Sequence, residues 1–474
     1  MFEATVSIDL GASYTKVAYR PACVPVGAAP CKADAVLLMV GGSPLIPSLA
    51  IRTKRPGQPW VFGPEAANLK PGKDMEVFQN WKADLLRPEN DKHSAAAVIV
   101  AEHFFGWLKK ELAAAGIDLQ KAQTRVAMPA FRTFDERAVL VARCMELNGW
   151  DSPLILKATE PHANTVGLFS KGRNVVGRTG TGELSLNYGQ IFGNQSVWIQ
   201  IARGFTLYGT HGNLFTAMIL DVGAFTTDLA AVTFDVSGSE NELSDGLRAI
   251  RQDSHALGVI NDLDRPLFTE LGSLHGFDWS ELSFQEGEWA KRALYHGSPY
   301  ALLPRPGVQV QLGGAGDDAI VARHVGGFTD AIWSKVAKFM EGGVPAVVYL
   351  TGGGVLIPKI AGSLQERFAK TRVGVGVVDD GAELAGEERV LLNANSTVRP
   401  WPNSGEGLHR VATALGGASV VLDASPAPDQ AEAAQLTARA PLIILEHGGL
   451  VPCRCQGGNK DCCFCGGRGF YPRA

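Results

Sequence analysis

Residues 8–18 read IDLGASYTKVA, and residues 220–230 read LDVGAFTTDLA. Five of the eleven aligned positions are identical: Asp9 and Asp221, Gly11 and Gly223, Ala12 and Ala224, Thr15 and Thr227, Ala18 and Ala230. Three more exchange one aliphatic side chain for another. Each copy joins two short β-branched runs, 5–10 with 16–19 and 217–222 with 228–234. The spacing predicts strand, tight turn, strand, twice over, so the chain is read as duplicated.

The chemistry of these turns is specific. A glycine close behind the Asp allows main chain to approach a ligand closely. Successive N–H groups of such a turn form a concavity suited to phosphate oxygens. An Asp at a strand end suits Mg²⁺, which keeps most of its waters and uses few carboxylates. Two facing turns would clamp a polyphosphate. The plainer reading of either turn alone is a hairpin with an acidic corner; its recurrence favours the clamp. A third element adds to it. An apolar strand runs into Thr351, Gly352, Gly353 and Gly354, with Pro358 following, and leaves bare surface for a flat ligand such as a nucleoside.

These three motifs together resemble the superfamily of actin, sugar kinases and heat-shock ATPases. Intervening stretches narrow the resemblance to the ATPase domain of the 70-kDa heat-shock chaperone family. Ile46-Pro47-Ser48 is similar to its early IPS strand, and Val61-Phe62-Gly63 with Ala66-Ala67 to its VG..A segment. The stretch from Phe78 to Lys82 resembles the segment bearing its catalytic lysine. Val126 to Ala130 resembles its VPA turn, and Glu160-Pro161 with Ala163 its NEPTAA helix start. Glu288 to Leu294 resembles its nucleoside-contacting helix, the stretch 350–360 its LVGGSTRIPKI, and 407–421 its closing helix. The resemblance covers about residues 4–422 and is specific in order and spacing.

It implies an α/β, two-lobed actin-like fold made of duplicated ribonuclease-H-like domains, with ATP or ADP and Mg²⁺ between the lobes. Lobe I would span 1–165, a β-rich insert and crossover 166–216, and lobe II 217–422. Asp9 and Asp221 would organise the magnesium and its waters. Gly11, Ala12, Ser13 and Tyr14, with Gly223, Ala224, Phe225 and Thr226, would cradle phosphates by backbone and hydroxyl. Lys82 would sit near the γ-phosphate and the attacking water. Glu160 would hold the metal's water shell and link the site to the Pro129 turn. Asp228 would add a monovalent-cation or water contact. Glu288, Lys291, Arg292, Gly352, Gly353 and Gly354 would frame the nucleoside. Such a set is sensible, because phosphoryl transfer is mostly positioning and charge neutralisation.

There are departures. Leu356 stands where the family has a basic residue that stacks on adenine, and Gly354 and Tyr295 replace two serines near the nucleoside. Residues 169–212 exceed what the resemblance leads one to expect; their alternation of polar and apolar residues with frequent Gly predicts an extra β-hairpin or two, either a partner surface or a neutral decoration.

Helices are expected at 94–116, at 133–149 and at 329–342. The second opens on a Thr133–Glu136 capping box and closes at Gly149, with Val139, Leu140, Ala142 and Cys144 on its apolar side. Phe104, Phe105 and Cys144 read as core. The ten histidines are dispersed, and none pairs with a Ser or Cys nucleophile, so hydrolase triads are discounted.

The whole-chain numbers agree with this reading. At 474 residues the length suggests roughly three folding units. Lys+Arg 44 against Asp+Glu 48 gives a net charge of −4, which does not announce a nucleic-acid binder. No apolar run reaches a membrane span. The opening MFEATVSIDLG enters a strand pattern at once, with no room for a signal peptide, so the expected compartment is the cytoplasm.

The tail differs from the rest. Residues 423–439 read as a linker. In 440–474, five of the eight cysteines fall between 453 and 465. Cys462-x-x-Cys465-x-Gly467-x-Gly469 matches the CxxCxGxG repeat of the zinc module of J-domain co-chaperones; Cys453-x-Cys455-x-Gly457 is one residue tighter. Cys453, Cys455, Cys462 and Cys465 are the expected Zn²⁺ ligands, since four thiolates suit a tetrahedral structural site. Cys463 is spare or an alternative ligand, and a redox-active thiol cluster is the competing reading. Phe464, Phe470 and Tyr471 are candidate partner contacts.

The expected function is therefore an ATP-hydrolysing, chaperone-like conformational switch. It would act on a protein partner through the knuckle or the 169–212 insert. Residues 423–474 are too few for the family's peptide-binding domain and lid. An actin-like filament ATPase and a small-molecule kinase of the same superfamily are the alternatives.

Overall fold

A computed structural model of the chain describes residues 3–22, 35–54, 59–86, 92–131, 134–150, 155–176, 214–235, 247–343, 345, 347–371, 374–377, 408–419, 450–452 and 470–472. Both copies of the repeated motif form the expected strand–turn–strand unit. In the first half these are β1 (Ala4–Asp9) and β2 (Tyr14–Arg20), followed by β3 (Val36–Leu37) and by β4 (Ile46–Pro47), which pairs with β2. A small sheet follows, β5 (Ala50–Thr53), β6 (Val61–Phe62) and β7 (Met75–Phe78), in the order β6-β5-β7. Then β8 (Ala122–Met128) and β9 (Ile155–Thr159) complete the first sheet, in the order β3-β2-β1-β8-β9. The second half provides β10 (Leu214–Val222), β11 (Thr227–Asp235), β12 (Leu247–His255), the hairpin β13 (Tyr300–Arg305) and β14 (Val308–Leu312), β15 (Val347–Thr351) and β16 (Gly374–Val377). Its main sheet has the order β12-β11-β10-β15-β16.

The two main sheets have the same plan. In each, the first three strands along the chain are antiparallel neighbours, and two further strands add in parallel to the first. The registers also match. Asp9 faces Lys16 and Ala127 on its neighbouring strands; Asp221 faces Asp228 and Thr351. The architecture is mixed α/β with several sheets, as alternating strand clusters and helices lead one to expect.

Helices cover these sheets: α1 (Gly63–Asn68), α2 (Trp81–Leu86), α3 (Lys92–Ala114), α4 (Phe134–Glu146) and α5 (Glu160–Val176), then α6 (Arg265–His275), α7 (Phe284–Tyr295), α8 (Ala315–Met340), α9 (Pro358–Lys370) and α10 (Leu408–Ala418). One core joins β1 to Trp81, Phe104, Phe105 and Leu108; another joins β10 to Phe268, Leu271, Ile332 and Phe368. Phe104 and Phe105 are fully buried, as expected of core. So is Cys144, whose thiol burial pushes up to about 12, which makes it a poor nucleophile.

Three expectations need correction. Val139 is 65% exposed, and Val141 and Met145 join Cys144 on the buried side of α4 instead. The helix expected at 329–342 begins at Ala315. There Asp317 accepts from the N–H groups of Gly313 (2.9 Å) and Gly314 (3.4 Å), and the Gly326–Gly327 pair inside the helix does not break it. The insert expected to be β-rich starts as helix, since α5 continues to Val176, and its last residues belong to β10. Residues 177–213, the linker 423–439 and the four expected zinc ligands lie outside the described residues. On either side of the cysteines, β17 (Leu450–Pro452) pairs antiparallel with β18 (Phe470–Pro472), which holds Phe470 and Tyr471.

The helices α5 and α10 follow the fifth strand of their respective sheets and cross in direct backbone contact. A Cβ on Gly167 would lie 1.8 Å from the Ala412 carbonyl oxygen, and one on Gly416 would lie 1.8 Å from that of Ala163. Two buried arginines fasten the end of α10 to the first sheet: Arg20 Nε donates to the Ala418 oxygen (2.7 Å) and Arg125 Nη1 to that of Gly417 (2.9 Å). Positive charge at a helix C-terminus is favourable. Gly416→Ala is expected to cost at least about 1–3 kcal/mol, because backbone cannot yield to the added methyl. Urea unfolding checks it, and an unchanged midpoint would contradict the crossing.

Candidate active site

The turns of the two repeats open into one cleft of about 670 Å³. It is lined by Asp9, Gly11, Ala12, Ser13 and Tyr14 of the first repeat and by Asp221, Gly223, Ala224, Phe225, Thr226 and Asp228 of the second. Lys82, Glu160, Glu288, Lys291, Arg292, Gly352, Gly353 and Gly354 line it too. All nineteen residues expected at a nucleotide and its magnesium therefore meet in one place. The structure adds Lys16, Asp264, Leu356 and Arg410 to the same walls.

Each turn is braced from outside. Ser48, at the end of the IPS segment, donates its N–H to the Ser13 oxygen (2.8 Å) and its hydroxyl to the Gly11 oxygen (2.6 Å). The second turn is braced by a π-helical turn, Val259–Asp264, whose Val259 and Ile260 N–H groups donate to the oxygens of Gly223 (3.1 Å) and Ala224 (2.9 Å). No described hydrogen bond uses the N–H of Ala12, Ser13, Ala224 or Phe225. These four are among the donors available to an anion. Tyr14 departs from the expected cradle: its hydroxyl lies 3.5 Å from Glu288 Oε2, and Arg410 packs over its ring at 5.1 Å.

Glycine is required at two of the three triplet positions. A Cβ on Gly352, whose φ is +88°, would lie 2.0 Å from Asp221 Oδ1, and one on Gly354 would lie 2.4 Å from Val222 Cγ1. Only Gly353 faces open space. The triplet thus lets its loop press against the end of β10, with a single bare position left for a ligand.

The floor of the cleft is acidic. Lys16 Nζ pairs with Asp9 Oδ2 at 2.9 Å. Asn164 Nδ2 donates to Asp221 Oδ2. Thr226 Oγ1 donates to Asp228 Oδ2 at 2.8 Å, and Ser254 Oγ donates to Asp228 Oδ1. Lys82 is buried and pairs with the buried Glu160. Burial, with repulsion from Asp9 and Glu160, pushes the Asp221 carboxyl up to about 7. Burial and the charge of Asp221 push Asp228 up to about 7. Burial also raises Glu160, with Lys82 pulling the other way.

Four carboxylates therefore face two lysines, a surplus of negative charge that a cation would relieve. Among the described residues, no group of three or more His, Cys, Asp or Glu side chains is arranged to hold an ion directly. The carboxylate surplus around Asp9 and Asp221 is the kind of donor set that a hydrated Mg²⁺, held through its waters, would use. The expected link from Glu160 to the Pro129 turn takes a different course: Ala130 N–H donates to Ser254 Oγ (2.8 Å), which donates to Asp228.

On the other wall, α7 starts with a Ser283–Glu286 capping box and presents Glu288, Lys291 and Arg292 at helical spacing. Lys291 lies 2.9 Å from Asp264 Oδ2 and 2.8 Å from Glu288 Oε1. Burial disfavours its charge, but the two carboxylates outweigh burial and keep it protonated. Tyr295 fills the place expected of a small polar residue and donates its hydroxyl to Asp264.

Next to Glu160, His162 is buried, and burial lowers it to about 4 from 6.5. A histidine held neutral this way contributes stability that is fully present above pH 6.5 and lost as pH falls toward 4, on the order of 3 kcal/mol. His162→Leu should lose less stability than the native chain over that range in urea titrations; parallel losses would contradict the assignment.

Sequence reasoning missed Lys16, Asn164, Ser254, Asp264 and Arg410. Lys16 was marked by the repeat, where it aligns with Asp228, and Asn164 adjoins the motif at Glu160. Ser254, Asp264 and Arg410 reach the site through tertiary packing and leave no local signal.

The chain matches no protein-family model and no curated protein. Among the described residues, no helix is long and apolar enough to cross a membrane.

Proposed function

We propose that this chain is a two-lobed, actin-like ATPase that binds and hydrolyses ATP with Mg²⁺ between its halves and uses the change in closure as a switch on a protein partner. One observation carries the reading: nineteen residues from separate motifs, expected at a nucleotide on sequence grounds, line a single cleft walled by the repeats of two sheets with the same five-strand order. The N–H groups of Ala12, Ser13, Ala224 and Phe225 hold the phosphates. Asp9 and Asp221 would hold the waters of a bound Mg²⁺, and Lys82 would neutralise charge at the terminal phosphoryl group. Magnesium, when bound there, would supply Lewis-acid neutralisation of the phosphates. The attacking water would give its proton to Glu160 or to Asp228 as the bond from the terminal phosphorus to ADP breaks and ADP leaves. Glu288, Arg292 and Leu356 border the nucleoside.

Chain segments on opposite sides of the cleft touch through Asn80–Asn261 and Tyr14–Glu288, so a bound nucleotide would change how tightly the cleft closes. Binding of MgADP to the full chain tests this reading. The Zn²⁺ knuckle and the partner it would engage rest on cysteine spacing alone.

A further inference from the structure

The lysines of the cleft are all committed to its carboxylates. Lys16 pairs with Asp9, Lys82 with Glu160, and Lys291 with Asp264 and Glu288. Two arginines on the same walls have no side-chain ion pair or hydrogen bond among the described residues, Arg292 and Arg410. Arg292 is exposed on α7, where it already borders the nucleoside. Arg410 is half-buried and belongs to α10, a helix to which the resemblance assigns no contact with a ligand.

Packing sets the place of Arg410. The far end of α10 is pinned where Gly416 lies against Ala163 and where the carbonyls of Gly417 and Ala418 accept from Arg125 and Arg20. That anchoring fixes the direction of the helix start. The Arg410 guanidinium packs over the Tyr14 ring at 5.1 Å, an attraction that holds the group without using its N–H donors. Thr413 lies one turn further on the same side of α10 and also lines the cleft. No described hydrogen bond uses its hydroxyl. A fixed charge with five donors, next to a hydroxyl and near the N–H groups of Ala12 and Ser13, suits an oxyanion.

Tyr14 indicates which oxyanion. Its hydroxyl reaches toward Glu288 of the nucleoside wall at 3.5 Å. Lys82 and Glu160 stand elsewhere, beside Thr226 of the second repeat. Arg410 is therefore on the nucleoside side of the first repeat, away from the lysine assigned to the terminal phosphoryl group.

We infer, resting on the nucleotide reading above, that Arg410 with Thr413 binds the inner phosphates of a nucleoside diphosphate through charge-assisted N–H and hydroxyl hydrogen bonds to their oxygens.

The test is calorimetric titration of the full chain, with Mg²⁺ present, by adenosine, ADP and inorganic pyrophosphate. Arg410→Leu should weaken ADP and pyrophosphate by about tenfold or more and leave adenosine within about threefold. Arg410→Lys keeps the charge but not the planar fork and should fall between. Thr413→Val should weaken ADP by about threefold. An unchanged urea midpoint shows that a variant is folded; where Arg410→Leu shifts it, Arg410→Lys carries the decision. Two results would overturn the inference. One is that ADP and pyrophosphate bind the Arg410 variants as tightly as the native chain. The other is that adenosine is lost in the same proportion as ADP, since Arg410 would then only support the Tyr14 side of the nucleoside wall. If the native chain binds pyrophosphate through Arg410 but neither ADP nor ATP, the nucleotide reading fails while this anion site stands. If it binds none of the probes, both fail.

Discussion

Asp221→Asn should lower Mg²⁺-dependent ATP turnover by at least about 10²–10³-fold and at the same time make the metal-free protein more stable. The two signs follow from one fact. Burial and the charges of Asp9 and Glu160 hold the Asp221 carboxyl near 7, against 3.8 for the unperturbed group. At pH 8 the ionised group therefore opposes folding in the absence of a cation. Because this raised carboxylate favours folding only below pH 3.8 and loses that contribution as pH rises through about 7, its removal should gain on the order of a few kcal/mol above pH 7. The asparagine can still bond to Asn164. A residue that served only the fold would lose stability when replaced; one that waits for a metal should gain it. Urea unfolding with EDTA and turnover with Mg²⁺ on the same sample check both halves. Retained turnover in both Asp221→Asn and Asp9→Ala would refute the site.

The Lys82–Glu160 pair should behave in the opposite way. Both partners are buried and in contact. Lys82→Met leaves Glu160 buried without its counter-charge, which should cost up to about 3–5 kcal/mol at alkaline pH, above about 8, where the raised carboxyl ionises. Adding Glu160→Gln should recover most of that loss, since no buried charge is then stranded, while turnover stays absent. The cost of Lys82→Met alone should shrink as pH falls and Glu160 takes a proton, because burial already favours its neutral form. Additive losses in the double variant would mean that the two side chains do not act as a pair.

The sequence carried the strand–turn–strand units and their cleft because both depend on local chemistry. Asp9 and Asp221 end strands, Gly11 and Gly223 follow where a turn must be tight, and the repeat itself announces two similar sheets. It carried less of what tertiary contact decides. The start of α8 at Ala315 depends on Asp317 bonding to the N–H of Gly313, and Val139 is exposed because Val141, Cys144 and Met145 turn another side of α4 into the core. The glycine triplet, taken from sequence alone, suggests a bare surface for a ligand. At Gly352 and Gly354 the cause is instead the close approach of β10, which no local pattern encodes. Asp264 joins the site through a π-helical turn with no periodicity to reveal it.

Calorimetric titration of the metal-stripped full chain with ADP, with and without Mg²⁺, tests the central claim most directly. The account predicts a single saturable site whose affinity rises with Mg²⁺ and whose Mg²⁺ dependence disappears in Asp221→Asn. Absence of ADP and ATP binding under both conditions would contradict it.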